Sequence, residues 1–217
     1  VWPRTSPLAA AFAATRARFG EVAGMRVALA VPGAPGQVRV ADASCFARAG
    51  VKGPNAAAWL AEQGIAPPPQ PNTWIAAAGG LVARLGESEF LLEDGYIAGA
   101  AAALRAQPPR GVAGVYAVPR QDASLLVAGP EAGAALAEVC SFNFSRPDLP
   151  PGLLALTRVA DVSALVIPLS LAGSRAFRLW CDPSYGPYLL DCLLEVAEDL
   201  GGGAAGLADL LPLPDPS

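Results

Sequence analysis

Few residues in this chain are equipped for acid–base, nucleophilic or metal chemistry. There is no histidine, which removes the commonest general base and the commonest metal ligand together. The cysteines are Cys45, Cys140, Cys181 and Cys192, and none forms a C-x-x-C pair, so no metal site is expected. Cys140, Cys181 and Cys192 stand among apolar neighbours and read as small, reduced hydrophobes. No G-x-S-x-G is present and no histidine exists to activate a serine, so serine-centred catalysis has no support. Glu87, Glu89, Glu93 and Asp94 cluster around one hairpin. They offer acid–base chemistry, but charges that bracket a turn read first as a solvated face. Trp180-Cys181-Asp182 offers a stacking face for a ligand, although a tryptophan at a strand end is more often core.

The elements that must position these residues are announced by a repeated pattern. Val51-Lys52-Gly53-Pro54-Asn55-Ala56-Ala57-Ala58-Trp59-Leu60 follows an apolar run and reads as strand end, Gly turn and helix start. Pro54 suits a first helical turn, where its fixed φ is already helical and its missing N–H costs nothing. Val127-Ala128-Gly129-Pro130-Glu131-Ala132-Gly133-Ala134-Ala135-Leu136 has the same form. Neither turn is a phosphate loop, because the spaced glycines and Lys-Ser/Thr are missing. Both read as compact strand-to-helix turns, well ahead of anion sites.

The rest of the chain fits around this echo. Ser6-Pro7 opens a helix with Leu8, Phe12 and Phe19 on its apolar side and Gly20 as its end. Met25–Val31 is a strand, closed by the Pro32–Gly36 loop. Gln37–Ala41 and Phe46–Val51 are strands around a turn at Asp42-Ala43-Ser44. Helix Pro54–Gln63 precedes three short strands at Trp74–Ala78, Leu81–Leu85 and Glu89–Leu92, then helix Ile97–Arg105. Strands Gly114–Pro119 and Ser124–Val127 lead to helix Pro130–Val139. Strands Leu153–Val159, Val162–Pro168 and Ala176–Trp180 follow. A long helix then starts at Asp182-Pro183-Ser184, with Asp182 as cap and Tyr188, Leu189, Cys192, Leu193 and Val196 on one face. Gly201-Gly202-Gly203 breaks it, and Ala204–Leu211 adds a short helix. The order implies an α+β fold of duplicated split β-α-β (ferredoxin-like) units with antiparallel sheets. We expect one domain over 1–217 with two pseudo-repeats, about 37–119 and 123–200.

Composition narrows the class. The 217 residues are 53% hydrophobic, which is too apolar for disorder. Net charge is −4 with no basic run, so nucleic acid is not an expected partner. Lys52 is the only lysine, and the abundance of Ala, Gly and Pro suggests a GC-rich bacterial genome. No apolar run nears the roughly 20 residues of a membrane span, and residues 1–19 lack a signal-peptide core. A cytoplasmic protein is the expectation.

Several segments resemble a known family. Ser6-Pro7-Leu8, Ala17-Arg18-Phe19 and Ala23-Gly24-Met25 look like the N-terminus of the aminomethyltransferase (T protein) of the glycine cleavage system. Val40-Ala41-Asp42-Ala43-Ser44 resembles its strand ending in Asp-x-Ser, and the two Gly-Pro elements resemble its own. Phe177-Arg178-Leu179-Trp180, Asp182-Pro183-Ser184-Tyr185 and Ala204-Ala205-Gly206-Leu207 resemble its closing strand, helix and Gly-Leu turn. The resemblance implies a folate-binding fold and one-carbon chemistry on tetrahydrofolate. The T protein has a further C-terminal domain that this chain stops short of, so the gamma subunit of heterotetrameric sarcosine oxidase is the nearer match in architecture. That subunit works beside flavin-bearing partners.

Two departures bear on activity. The resemblance implies a catalytic carboxylate at about Ala100, where none stands; Asp94 is near but early. The family's Tyr-Thr-Gly-Glu turn, whose Glu contacts folate, appears as Leu171-Ala172-Gly173-Ser174. No cofactor follows from the residues themselves, and tetrahydrofolate is the one the resemblance implies, with Asp94, Tyr96 and Trp180 as candidate contacts. The expected function is a non-catalytic folate-fold subunit of a sarcosine oxidase-type flavoprotein complex. Leu169, Leu171, Leu211 and Leu213 are then candidates for the partner interface. The alternative is a stand-alone tetrahydrofolate-dependent aminomethyltransferase or a folate-binding one-carbon sensor.

Overall fold

The computed structural model describes residues 4–33, 36–77, 79–97 and 99–212. Ala34 and Pro35 of the first loop, Ala78, Ala98 and Leu213 lie outside the described residues. In chain order the elements are β1 (Arg4–Thr5), α1 (Ala9–Ala13), β2 (Arg18–Val22), β3 (Met25–Ala30), β4 (Arg39–Asp42), β5 (Arg48–Lys52), α2 (Ala56–Glu62), β6 (Thr73–Ala77), β7 (Gly80–Arg84) and β8 (Glu89–Glu93). There follow α3 (Ala100–Ala106), β9 (Tyr116–Val118), β10 (Ala123–Ala128), α4 (Ala132–Val139), β11 (Ala155–Val159), β12 (Val162–Leu171), β13 (Ser174–Cys181), α5 (Gly186–Asp199), β14 (Gly203–Ala204) and α6 (Leu207–Leu210). The fold is α+β, and most strand pairs are antiparallel.

The chain forms two units. The first comprises Val1–Cys45, Asp122–Pro150 and Ala155–Ser217; the second comprises Phe46–Gln121 and Pro151–Leu154. In the first, a six-stranded sheet runs β11-β12-β13-β10-β4-β14, and a small sheet runs β1-β3-β2. β10 lies between β13 and β4 and is buried along its whole length. Its sequence, apolar except for Ser124, is therefore a near-continuous run rather than an alternating one. Val40, Leu125, Val127, Phe177 and Leu179 pack with Leu136 of α4 and Leu189, Leu190 and Leu193 of α5 in one core.

The second unit is a five-stranded sheet in the order β6-β7-β8-β5-β9, antiparallel throughout. Val51, Val82, Phe90 and Leu92 form its core with Leu60 of α2 and Ala101 of α3. Both units show one sequence of events. A strand (β5 or β10) enters a Gly-Pro turn and a helix, a three-strand meander returns its last strand beside the first, and a helix closes the set. A fifth strand, β9 or β4, flanks the first on its other side.

The two Gly-Pro turns have the same backbone. Gly53 has φ +127° and Gly129 has φ +132°, values open to glycine alone. The Asn55 N–H donates to the Gly114 carbonyl at 3.1 Å, and the Glu131 N–H donates to the Gln37 carbonyl at 3.0 Å. A Cβ on either glycine would overlap that same carbonyl oxygen.

Several expectations are corrected. The first helix is short, and Phe19 and Gly20 belong to β2, which pairs with β3. The Ser6 hydroxyl does accept the Leu8 N–H, at 3.0 Å. The strands on either side of Asp42-Ala43-Ser44 are not partners: β4 pairs with β10 and β14, β5 with β8 and β9. Asp182 builds the turn before α5 by accepting the Ser184 N–H at 2.9 Å, and Tyr185 is the cap residue. α5 buries Leu189, Leu190, Leu193 and Ala197, whereas Tyr188 is exposed. Leu169, Leu171 and Leu211 are half-buried and keep part of their surface open to solvent; among the described residues the exposed large apolar side chains are Ile97, Val112, Tyr116, Leu156, Tyr185 and Tyr188.

Candidate functional site

Asp94 follows β8 and sits opposite the start of α3. Its Oδ2 accepts the N–H groups of Gly99 and Ala102, each at 2.8 Å, and its Oδ1 accepts that of Ala101 at 2.9 Å. These are donors that a helix start leaves unpaired. The carboxylate therefore decides where α3 begins, at Ala100 rather than at Ile97, whose side chain is 80% exposed. The main chain of Asp94 is itself held, its N–H donating to the Ala47 carbonyl at 2.9 Å.

The solvated-face reading of the acidic cluster fails for Glu93 and Asp94, which are both buried. Glu93 is the cross-strand partner of Arg48. Their side chains, each 5% exposed, meet at 3.1 Å from Nη1 to Oε2. A signal was available: Glu93 ends the run Phe90-Leu91-Leu92, and apolar residues on both faces of a strand mean that both faces are covered. Glu93 and Asp94 border a cavity of about 370 Å³ walled mainly by Ile65, Ile75, Leu81, Val82 and Leu92. Tyr96 is half-buried and stands edge-to-face against Phe46, with centroids 5.1 Å apart.

Trp180 belongs to the other unit. It is buried in β13, between Leu165 and Ser124 in register, with the Arg178 guanidinium 5.6 Å from its ring centre. Near it lies a buried polar network that residue chemistry alone did not single out. The Asp42 Oδ1 accepts the Ser44 N–H at 2.9 Å, the Ser44 Oγ accepts the Ser124 N–H at 3.0 Å, and the Ser124 hydroxyl donates to the Leu179 carbonyl at 3.1 Å. Arg178 donates to the Ala43 carbonyl at 3.1 Å. Burial pushes the Asp42 carboxyl pKa up, while Ser6, Ser44 and the charge of Arg178 pull it back. Its Oδ2 has no partner in hydrogen-bonding geometry among the described residues. The Asp-x-Ser pattern marked this place; burial, which only the fold reveals, gives it its character. Cys181 alongside is inert, its thiol pushed up to about 11 by burial and then by Asp122 and Asp182.

Leu171 ends β12 and Ser174 begins β13, so Ala172-Gly173 is the tip of a tight hairpin. Both tip residues have positive φ, +48° and +79°.

This arrangement of sheets and helices is the aminomethyltransferase folate-binding fold. It matches the glycine cleavage aminomethyltransferase T of Bartonella henselae with a TM-score of 0.70 at 17% identity, covering 94% of this chain and 60% of that one. This chain thus spans about 60% of the length of that enzyme. It also matches a chain of the heterotetrameric sarcosine oxidase of Corynebacterium sp. U-96, solved in complex with pyrrole 2-carboxylate. There the TM-score is 0.65 at 19% identity, covering 92% of this chain and 97% of that one. A sequence comparison with curated proteins finds no match. The family model described as the GCVT N-terminal domain matches residues 75–210, and the chain belongs to that family.

The family fold implies tetrahydrofolate. A pterin presents N–H groups that call for carboxylate acceptors. In the cavity of about 370 Å³ the carboxylates are Glu93, bonded to Arg48, and Asp94, bonded to three backbone N–H groups, so this cavity does not fit a pterin. The hairpin tip at Leu171–Ser174 supplies no carboxylate either.

Proposed function

We propose that this chain is a non-catalytic folate-fold subunit of a sarcosine oxidase-type, amine-oxidising flavoprotein complex. The observation that carries the reading is the position of Asp94: the carboxylate nearest the expected catalytic place is engaged by three backbone N–H groups at the start of α3. Near-complete mutual coverage with a chain of a heterotetrameric oxidase supports it. The partners in this reading are flavin-bearing subunits. Purifying the affinity-tagged chain from its own host tests it. Co-elution with a protein absorbing near about 450 nm, as protein-bound flavin does, is the expected result. Elution without any flavin-bearing protein overturns it.

One observation favours a second reading, a folate-binding sensor or stand-alone tetrahydrofolate-dependent aminomethyltransferase. The buried Oδ2 of Asp42 has the chemistry to accept a pterin N–H. Titration with 5-formyltetrahydrofolate decides it. Micromolar binding, about −8 kcal/mol, that Asp42→Asn abolishes favours this reading, and no heat of binding removes it. A turnover assay then separates enzyme from sensor.

A further inference from the structure

The second unit holds another cavity, of about 270 Å³, bordered by β5, β9 and the end of α3. Its character differs from that of the larger one. Arg48, Arg105 and Arg120 line it, and no acidic residue does. Glu93 and Glu89 reach Arg48 and Arg120 from outside this lining, at 3.1 and 2.8 Å. The remaining wall is apolar, with Leu104, Pro108 and Val118 among its residues. Arg105 stands in the last turn of α3, where the helix dipole favours a cation. Gly50 keeps the space open, because an added Cβ would stand 2.8 Å from the Val118 side chain and 3.2 Å from the Arg120 Nε.

Guanidinium groups present planar forks that match carboxylate and phosphate oxygens. In a partly enclosed space such a pair is stronger than in water, because the surrounding dielectric is lower. We propose that this cavity binds a small organic anion, its carboxylate or phosphate group at the arginines and its apolar body against Leu104, Pro108 and Val118. The site lies within one unit and requires nothing of a partner subunit.

Calorimetric titration of the full chain with benzoate, phenyl phosphate and neutral benzamide tests this, and the two anions separate a carboxylate site from a phosphate site. At least one anion should bind about tenfold or more tighter than benzamide, and its affinity should fall with added salt. Arg105→Gln, at an exposed position, should weaken that anion by about tenfold. Glu89→Gln removes the carboxylate facing Arg120 and should tighten it. Equal binding of benzamide and both anions overturns the proposal. So does an affinity unchanged in Arg105→Gln, provided its circular dichroism matches that of the parent chain, or weaker binding in Glu89→Gln.

Discussion

Asp94 shows how a single carboxylate is committed by its surroundings. It satisfies three backbone donors at the start of α3, so removing it leaves those donors unpaired beside a buried strand end. Asp94→Ala should lower stability by about 2 kcal/mol, with Asp94→Asn falling between it and the parent chain. Urea denaturation measures this; an unchanged midpoint for Asp94→Ala would show that the cap contributes nothing. Asp42 behaves differently, because burial raises its pKa above the ordinary value of 3.8. The folded state then holds the proton more tightly than the unfolded state. This contribution to stability is full below the unfolded pKa and is lost as pH rises through the folded one. Asp42→Asn cannot titrate, so its stability relative to the parent chain should grow across that window from about 3.8 upward and then level off. Denaturation midpoints taken from pH 3.5 to 7 (about one half-unit apart) would reveal the trend, and parallel curves would refute it.

At the level of the element, the two Gly-Pro turns carry the heaviest backbone constraint. Gly53 and Gly129 combine a φ reserved for glycine with a carbonyl oxygen in the space of a Cβ. Gly53→Ala and Gly129→Ala should each cost at least about 2 kcal/mol, since backbone strain and steric overlap act together. Gly64, at φ +78° with nothing near its Cβ position, supplies the control. Gly64→Ala should cost about 1 kcal/mol, from the left-handed backbone alone. Thermal melts of the three variants would rank them, and a Gly64 variant as damaged as the other two would show that the close carbonyls are irrelevant.

For the whole molecule, the proposed function is one of assembly. Among the described residues no helix is long and apolar enough to cross a membrane, which says nothing of strands. Among the described residues the exposed large apolar side chains are spread over several elements, and Leu169, Leu171 and Leu211 are half-buried. If the chain is held by flavoprotein subunits, the complex should melt later than the free chain. Saturation at about 100 times Kd stabilises the bound state by about 2.7 kcal/mol, or a rise in Tm of roughly 5–10 °C at this size. Differential scanning fluorimetry of the chain alone and of the co-purified complex measures it, and identical melts would contradict a stable assembly.

Sequence by itself determined most of the element types, the two Gly-Pro turns and the α+β class, though it read Phe19 and Gly20 as helix where they lie in β2. These depend on local causes: a proline that presets φ, a glycine that tolerates φ above zero, and runs of β-branched and aliphatic residues. It also marked Asp94 and the Asp-x-Ser strand as places to look. Tertiary structure alone decided which strands pair, because β4 and β5 are neighbours in sequence yet join different sheets. It also decided that Arg48 is the partner of the buried Glu93 and that Asp94 caps a helix, since a charge in a sequence does not name the group it will meet. The physical reason is range: φ preferences act over a few residues, whereas burial and ion pairing depend on segments brought together from far along the chain.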